Sequence, residues 1–350
     1  MSLKVIFMEK SSFYSEEEVK KEAERLYEKL KKVKFTEDEC VSLAPLTLEI
    51  NKLKKEKNAV ILAHSYQTPD IIYGVADFVG DSLELSKKAA STKAKTIVFA
   101  GVKFMAETAK ILSPKKTVLL PSLEAGCSLS ESITAEDVKA LKKKHPDVPV
   151  VCYVNTSAEV KAECDACCTS ANALQVVESF KEDKIIFLPD ELMAKNIQNQ
   201  TNKKIISWNG LCVVHKEFNA QQIKEVKKKY PGVKILVHTE CSPNVVKLAD
   251  FAGGTSGMIK YAETHADKSF MMVTECGLTD RMKVELMQKD FVGSCELCPY
   301  MKKNTLELIL QALRKPEKEQ VIELDEKVIR KAKKAIDYMM KIKTENNVID

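Results

Sequence analysis

The chain has a single tryptophan, and aromatic residues make up only 6% of its 350 positions. Arginine is scarce beside lysine and the net charge is only +5. A nucleic-acid footprint needs a denser basic face than that, so no such partner is expected. Lysine runs such as Lys142–Lys144 and Lys227–Lys229 read as solvated helix faces. No stretch approaches the roughly 18 apolar residues of a membrane span, so no membrane partner is expected either. The first residues lack the apolar core of a secretory signal, because Glu9 and Lys10 interrupt them and a charged helix follows. Neither a P-loop lysine motif nor a Gly-x-Gly-x-x-Gly fingerprint follows the first apolar run, which leaves nucleotide binding without support. These absences point to a soluble, cytoplasmic protein whose 350 residues exceed what one core usually organises.

Cysteine is abundant: there are eleven. In such a chain they indicate ligand or redox roles in a reducing compartment rather than a disulfide framework. Three of them keep a rhythm, since Cys212 follows Cys127 by 85 residues and Cys298 follows Cys212 by 86. Other landmarks share it. The strand-like runs Asn58–His64, Pro149–Tyr153 and Val233–His238 end 89 and 85 residues apart. Asp77, Asp165 and Asp250 are spaced by 88 and 85, and a second apolar run follows each, at Thr96–Ala100, Lys184–Leu188 and Ser269–Val273. A fixed period of domain size predicts three related α/β lobes, each delivering one cysteine. Boundaries follow as lobes at 58–128, 129–213 and 214–300, with helical segments at 1–57 and 301–350. Within the first segment, residues 16–33 read as a charged helix capped near Ser15, and Leu48–Lys57 as a second helix.

Ligands of open α/β sheets bind beyond the carboxyl ends of the strands, which is where the repeat places polar side chains. The first strand ends present His64 and Tyr66, then Tyr153 and Asn155, then His238 and Glu240. Residues at i and i+2 share a face if the strand continues that far. Five residues past each aspartate stand Ser82, Ser170 and Thr255, each at or just before a helical pattern. A hydroxyl there caps the helix or joins its free N–H groups in holding a phosphate or carboxylate. One such residue is unremarkable; nine at three equivalent places predict a shared central site.

Three thiolates on three loops suit zinc, copper(I) or an iron–sulfur cluster. A structural zinc site wants four closed ligands. Clusters ordinarily take four cysteines, and a four-iron cluster on three would leave one iron open as a Lewis acid. Cys295-x-x-Cys298 and Cys164-x-x-Cys167-Cys168 also read as half of a zinc site or as redox dithiols. Cys40, Cys152, Cys241 and Cys276 read as buried bystanders. A non-catalytic iron–sulfur or zinc-binding redox protein is the rival reading, though it gives no reason for polar strand ends in three lobes.

The segments HSYQ (64–67), ADFVGDSLELS (76–86), GCSL (126–129), YVNTSAEVKA (153–162), CTSANA (168–173), WNGLCVVH (208–215), HTECSP (238–243) and CPYMKKNTLE (298–307) resemble the quinolinate synthase family, collinearly from about residue 45 to 312. The resemblance implies three similar αβα lobes with small parallel sheets around a pseudo-threefold axis. It implies a [4Fe–4S] cluster on Cys127, Cys212 and Cys298. Its active-site positions fall on His64, Tyr66, Ser82, Tyr153, Asn155, Ser170, His215, His238, Glu240 and Thr255, with Tyr66, Glu240, His64, His215 and His238 as the proton-moving set. The implied reaction condenses iminoaspartate with dihydroxyacetone phosphate to quinolinate, and so links the chain functionally to an iminoaspartate-producing enzyme. Gly254 departs from the family's frequent serine and removes one hydroxyl from the expected phosphate site.

Overall fold

The computed structural model describes residues 14–342. The absent-signal reading and the outer ends of the two terminal segments lie outside them. Ser15 accepts from the Glu18 N–H and Glu18 returns a bond to the Ser15 N–H, which starts the helix Glu16–Leu30, continued by a short turn over Lys31–Val33. The second helix runs Glu37–Glu56, eleven residues longer at its front than expected. Thr36 and Glu39 form another reciprocal cap there. Pro45 lies inside this helix; its lost hydrogen bond is offset by burial of Cys40, Ala44, Leu46 and Ile50.

Three four-stranded parallel sheets follow, and each has the same strand order. The first comprises β1 (Ala59–His64), β2 (Phe78–Gly80), β3 (Thr96–Ala100) and β4 (Thr117–Leu119). The second comprises β5 (Val150–Tyr153), β6 (Ala166–Cys168), β7 (Lys184–Leu188) and β8 (Lys204–Ser207), and the third β9 (Lys234–His238), β10 (Phe251–Gly253), β11 (Ser269–Val273) and β12 (Asp290–Phe291). Orders 2-1-3-4, 6-5-7-8 and 10-9-11-12 are one topology used three times. The central strands are buried on both faces by helices, which is why they read as unbroken apolar runs.

The periodic aspartates have a backbone role. Asp77, Asp165 and Asp250 each accept from the N–H of a first-strand residue (Ile61, Val150, Ile235), at 2.8 Å in all three. Each also donates its own N–H to the carbonyl of that residue. The carboxylate thus clamps the edge-strand turn to the central strand. The C-terminal helix Glu326–Lys341 buries Ala332, Ala335, Ile336 and Met339 in the core behind the second sheet.

Candidate active site

All thirteen expected residues line one cavity: His64, Tyr66, Ser82, Cys127, Tyr153, Asn155, Ser170, Cys212, His215, His238, Glu240, Thr255 and Cys298. They arrive from the carboxyl ends of strands in all three sheets and from the loops beyond the fourth strands. β1 ends at His64 and β9 at His238, so Tyr66 and Glu240 stand in the following turns rather than on the strands. The turn brings the pair together all the same. The Tyr66 N–H donates to His64 Nδ1 at 3.1 Å, and the Glu240 N–H to His238 Nδ1 at 3.3 Å. Each neutral imidazole is therefore fixed with its proton on Nε2. Burial, reinforced at His238 by His215 and at His64 by His238, lowers both to about 3, so both are neutral donors.

Around them runs a buried hydrogen-bond chain that crosses the lobes. Tyr66 Oη meets Thr274 Oγ1 at 2.7 Å, and Thr274 Oγ1 meets His215 Nε2 at 2.9 Å. His215 Nδ1 lies 2.9 Å from Glu240 Oε2, and Tyr153 donates to Glu240 Oε1 at 2.6 Å. A carboxylate only accepts, so His215 carries its proton on Nδ1. Its Nε2 is then an acceptor, Thr274 the donor to it, and Tyr66 the donor to Thr274. Burial pushes Glu240 up, but His215, His238 and the Tyr153 hydroxyl outweigh it and hold the carboxyl well below its usual range. Burial pushes both tyrosines well above theirs, with Glu240 adding to it. Thr274 was missed by sequence reading. It follows β11 where Gly101 and Pro189 follow β3 and β7, so the repeat gives no signal at this place.

The hydroxyls at the helix starts differ in detail. Asp81 caps the helix Ser82–Ser91, leaving Ser82 itself uncommitted to that cap. Helix Thr255–Thr264 begins behind Gly254, which offers no side-chain cap, so its first-turn N–H groups stay available. A Cβ on Gly254 would meet Ser170 Oγ at 2.6 Å, so the glycine lets the second and third lobes close up. Asn155 Oδ1 is buried without a hydrogen-bond partner, an acceptor open to a ligand.

The cysteine loops are pinned alike. The N–H groups of Lys103, Glu191 and Cys276 donate to the carbonyls of Ala125, Gly210 and Glu296, at 2.8, 2.9 and 3.0 Å. Each carbonyl lies two residues before Cys127, Cys212 or Cys298. In the third lobe Glu275 adds an acceptor for the Cys298 N–H at 3.1 Å and pairs with Lys302 at 2.9 Å. Cys276 is no bystander: it forms a disulfide with Cys295, so Cys295 is joined neither to Cys298 nor to a ligand position. Cys40, Cys152 and Cys241 are buried as expected.

Burial pushes the Cys127 thiol up to about 12 and raises Cys212 and Cys298 too. Three partly buried thiols on one cavity fit a soft cationic group that displaces their protons. Cys212, His215 and Glu240 also bring three ligand atoms within 4.8 Å of one another. Among the described residues no helix is long and apolar enough to cross a membrane.

Comparison with known proteins agrees with this geometry. The family model for quinolinate synthetase A protein (NadA) matches residues 48–341. A quinolinate synthase of Sinorhizobium fredii is 49% identical over 325 residues, covering 93% of this chain and 90% of that protein. One from Caulobacter vibrioides is 50% identical over 301 residues (85% and 82%), and one from Xylella fastidiosa 50% over 293 (84% and 86%). With three such sheets around one thiol- and imidazole-lined cavity, the chain belongs to the quinolinate synthase family.

Proposed function

We propose that this cavity condenses iminoaspartate with dihydroxyacetone phosphate, releasing phosphate, two waters and quinolinate. Family membership makes the chain an iron–sulfur enzyme of NAD biosynthesis acting on small molecules. The finer reading rests on one observation: proton-moving, anion-holding and thiol groups from all three sheets line a single cavity.

Cys127, Cys212 and Cys298 would hold a [4Fe–4S] cluster, which supplies, when bound, an open iron as Lewis acid toward substrate oxygen. The chain's own residues do the rest. Uncapped N–H groups at Thr255, with the hydroxyls of Thr255, Ser170 and Ser82, hold phosphate or carboxylate. His64 and His238 donate from Nε2, and Asn155 Oδ1 accepts from a substrate N–H or O–H.

Tyr66 is the acid and base. Its proton can pass to Thr274 while that hydroxyl's proton passes to His215 Nε2. Glu240 stabilises the imidazolium so formed and fixes the ring's tautomer, as the carboxylate does in a serine-hydrolase triad. Reversal returns the proton to a departing hydroxyl. The lobes span 58–128, 129–213 and 214–300 in this reading, the chain works in the cytoplasm, and an iminoaspartate-producing enzyme feeds it.

The test is an anaerobic assay for quinolinate from the two substrates, with iron and sulfide counted on the same preparation. About four of each per chain with product formation is the expected result. Tightly bound zinc and no product would favour the non-catalytic redox reading instead.

A further inference from the structure

The repeat provides an internal control for residues that the fold does not demand. In each lobe the penultimate residue of the first strand pairs in register with the middle of the edge strand. These pairs are Ala63 with Val79, Val237 with Ala252 and, in the second lobe, Cys152 with Cys167. Before the clamping aspartates stand Ala76, Ala249 and Cys164, and four residues before them Tyr73, Val246 and Lys161. Two lobes fill this space with apolar or aromatic side chains. The second fills it with three thiols and an ammonium.

The three cysteines belong to one buried cluster. Cys152 Sγ lies 3.4 Å from Cys167 Sγ. Cys164, one helical turn past Val160, donates its thiol proton to the Val160 carbonyl at 3.1 Å. Lys161 is fully buried, bonded to the Thr156 carbonyl, and makes no ion pair among the described residues. Burial pushes Cys152 up, but Cys164, Cys167 and the Lys161 ammonium outweigh it and hold it well below the ordinary thiol range. Burial, with Cys152 beside them, pushes Cys164 and Cys167 well above it. The arrangement is two sulfurs in contact, with a third cysteine and a buried lysine on the segment that leads into the edge strand.

We propose that Cys152 and Cys167 form a peroxide-oxidisable dithiol, with Cys164 as the thiol that exchanges into it. The Cys152 sulfur attacks hydrogen peroxide; an S–O bond forms, the O–O bond breaks, and hydroxide leaves to take a proton from solvent. Cys167 sulfur then attacks the sulfenic acid; an S–S bond forms, the S–O bond breaks, and water leaves with the Cys167 proton. Two electrons pass from the sulfurs to the peroxide. Neighbouring strands run about 4.8 Å apart, inside the Cα range that a disulfide spans. Entry is from the Cys164 side, the one thiol of the three with any exposure, at 9%. The bond would tie together β5 and β6, whose next residues Tyr153, Asn155 and Ser170 line the catalytic cavity. A metal fits less well. The three sulfurs are not among the ligand sets that converge within 4.8 Å among the described residues.

The test uses anaerobically purified holoenzyme given one equivalent of hydrogen peroxide, then alkylated in denaturant and digested with trypsin. Cleavage after Lys144, Lys161 and Lys181 puts Cys152 on one peptide and Cys164, Cys167 and Cys168 on the next. The expected product is these two peptides joined, lighter by two hydrogens, with fragmentation placing the bond between Cys152 and Cys167. Dithiothreitol should part them. Cys167→Ala should move the bond to Cys164, and Cys152→Val should abolish it; the other lobes carry alanine and valine in this pair, so both variants should fold. Recovery of Cys152 as the alkylated free thiol after peroxide overturns the proposal. So does a bond from Cys152 to Cys168, or stoichiometric zinc that Cys152→Val removes.

Discussion

Tyr66 and Thr274 meet hydroxyl to hydroxyl at 2.7 Å, although 208 residues separate them in the chain. The contact joins the turn after β1 to the end of β11 and makes Thr274 the step between phenol and imidazole. Thr274→Val keeps the shape and removes both bonds. It leaves Tyr66 Oη and His215 Nε2 buried without their partner, and general acid–base catalysis is worth about 10²–10⁴-fold. Turnover should fall in that range with iron content unchanged, and Thr274→Ser should restore most of it. Full turnover in the valine variant would remove Thr274 from proton transfer.

Glu240→Gln tests the tautomer rather than the chain's continuity. The amide keeps the size but offers an N–H toward His215 Nδ1, which favours the ring with its proton on Nε2. Thr274 then meets a donor where it needs an acceptor. A comparable carboxylate-to-amide change in a hydrolase triad costs about 10⁴-fold, and a loss of on the order of 10³–10⁴-fold is expected here. The cluster's visible spectrum should persist, because Glu240 is outside the three proposed ligands. A variant with near-normal turnover would exclude Glu240 from the mechanism.

What the sequence made legible was whatever the repeat wrote three times. Strand ends, clamping aspartates and the three cavity cysteines recur at one register, and the twelve residues so expected line one cavity, joined by His215, which only the family resemblance implied. Thr274 was invisible because Gly101 and Pro189 hold its place in the sister lobes. The Cys276–Cys295 bond was invisible for the same reason, since Lys103, Glu191, Glu124 and Asn209 stand at the matching positions. The helix over Glu37–Glu56 begins ahead of the local pattern for a different reason: its front half is held by packing against its neighbour, which local pattern does not report. Repetition exposes shared architecture and hides what one lobe does alone.

Acid should destabilise the fold through two histidines. His64 and His238 are lowered to about 3 by burial, whereas the unfolded chain titrates near 6.5. Between those values the unfolded state binds protons that the folded state refuses. The contribution of these two histidines to stability therefore rises with pH across that window, falls as pH drops below 6.5, and is constant above it. Each contributes a slope of up to about 1.4 kcal/mol per pH unit. Urea unfolding at several pH values above about 5 keeps Glu240 out of the comparison, since its folded carboxyl is already ionised there and unfolded carboxyls titrate lower. His64→Gln should flatten the dependence by about one proton at the acid end. An unchanged slope would mean that His64 is charged in the folded protein.

The proposed ligand set predicts a split among the cysteines of the third lobe. Cys298 occupies the place of Cys127 and Cys212, two residues past a carbonyl held by the same backbone bond in every lobe. Cys295 lies three residues earlier and is committed to Cys276, which lies on the helix that follows β11. A thiolate from Cys295 would also close the iron position that substrate must reach. Cys298→Ser should therefore give protein with little iron and no quinolinate synthesis. Cys295→Ser, Cys276→Ser and Cys164→Ser should each keep their iron and much of their activity under reducing conditions. The Cys298 loop keeps its other ties when the disulfide is lost, because the Cys276 N–H still bonds Glu296 and Glu275 still holds the Cys298 N–H. Iron, sulfide and activity are measured anaerobically for each single variant. If Cys295→Ser loses the cluster while Cys298→Ser keeps it, the threefold register is wrong and the ligand assignment falls with it.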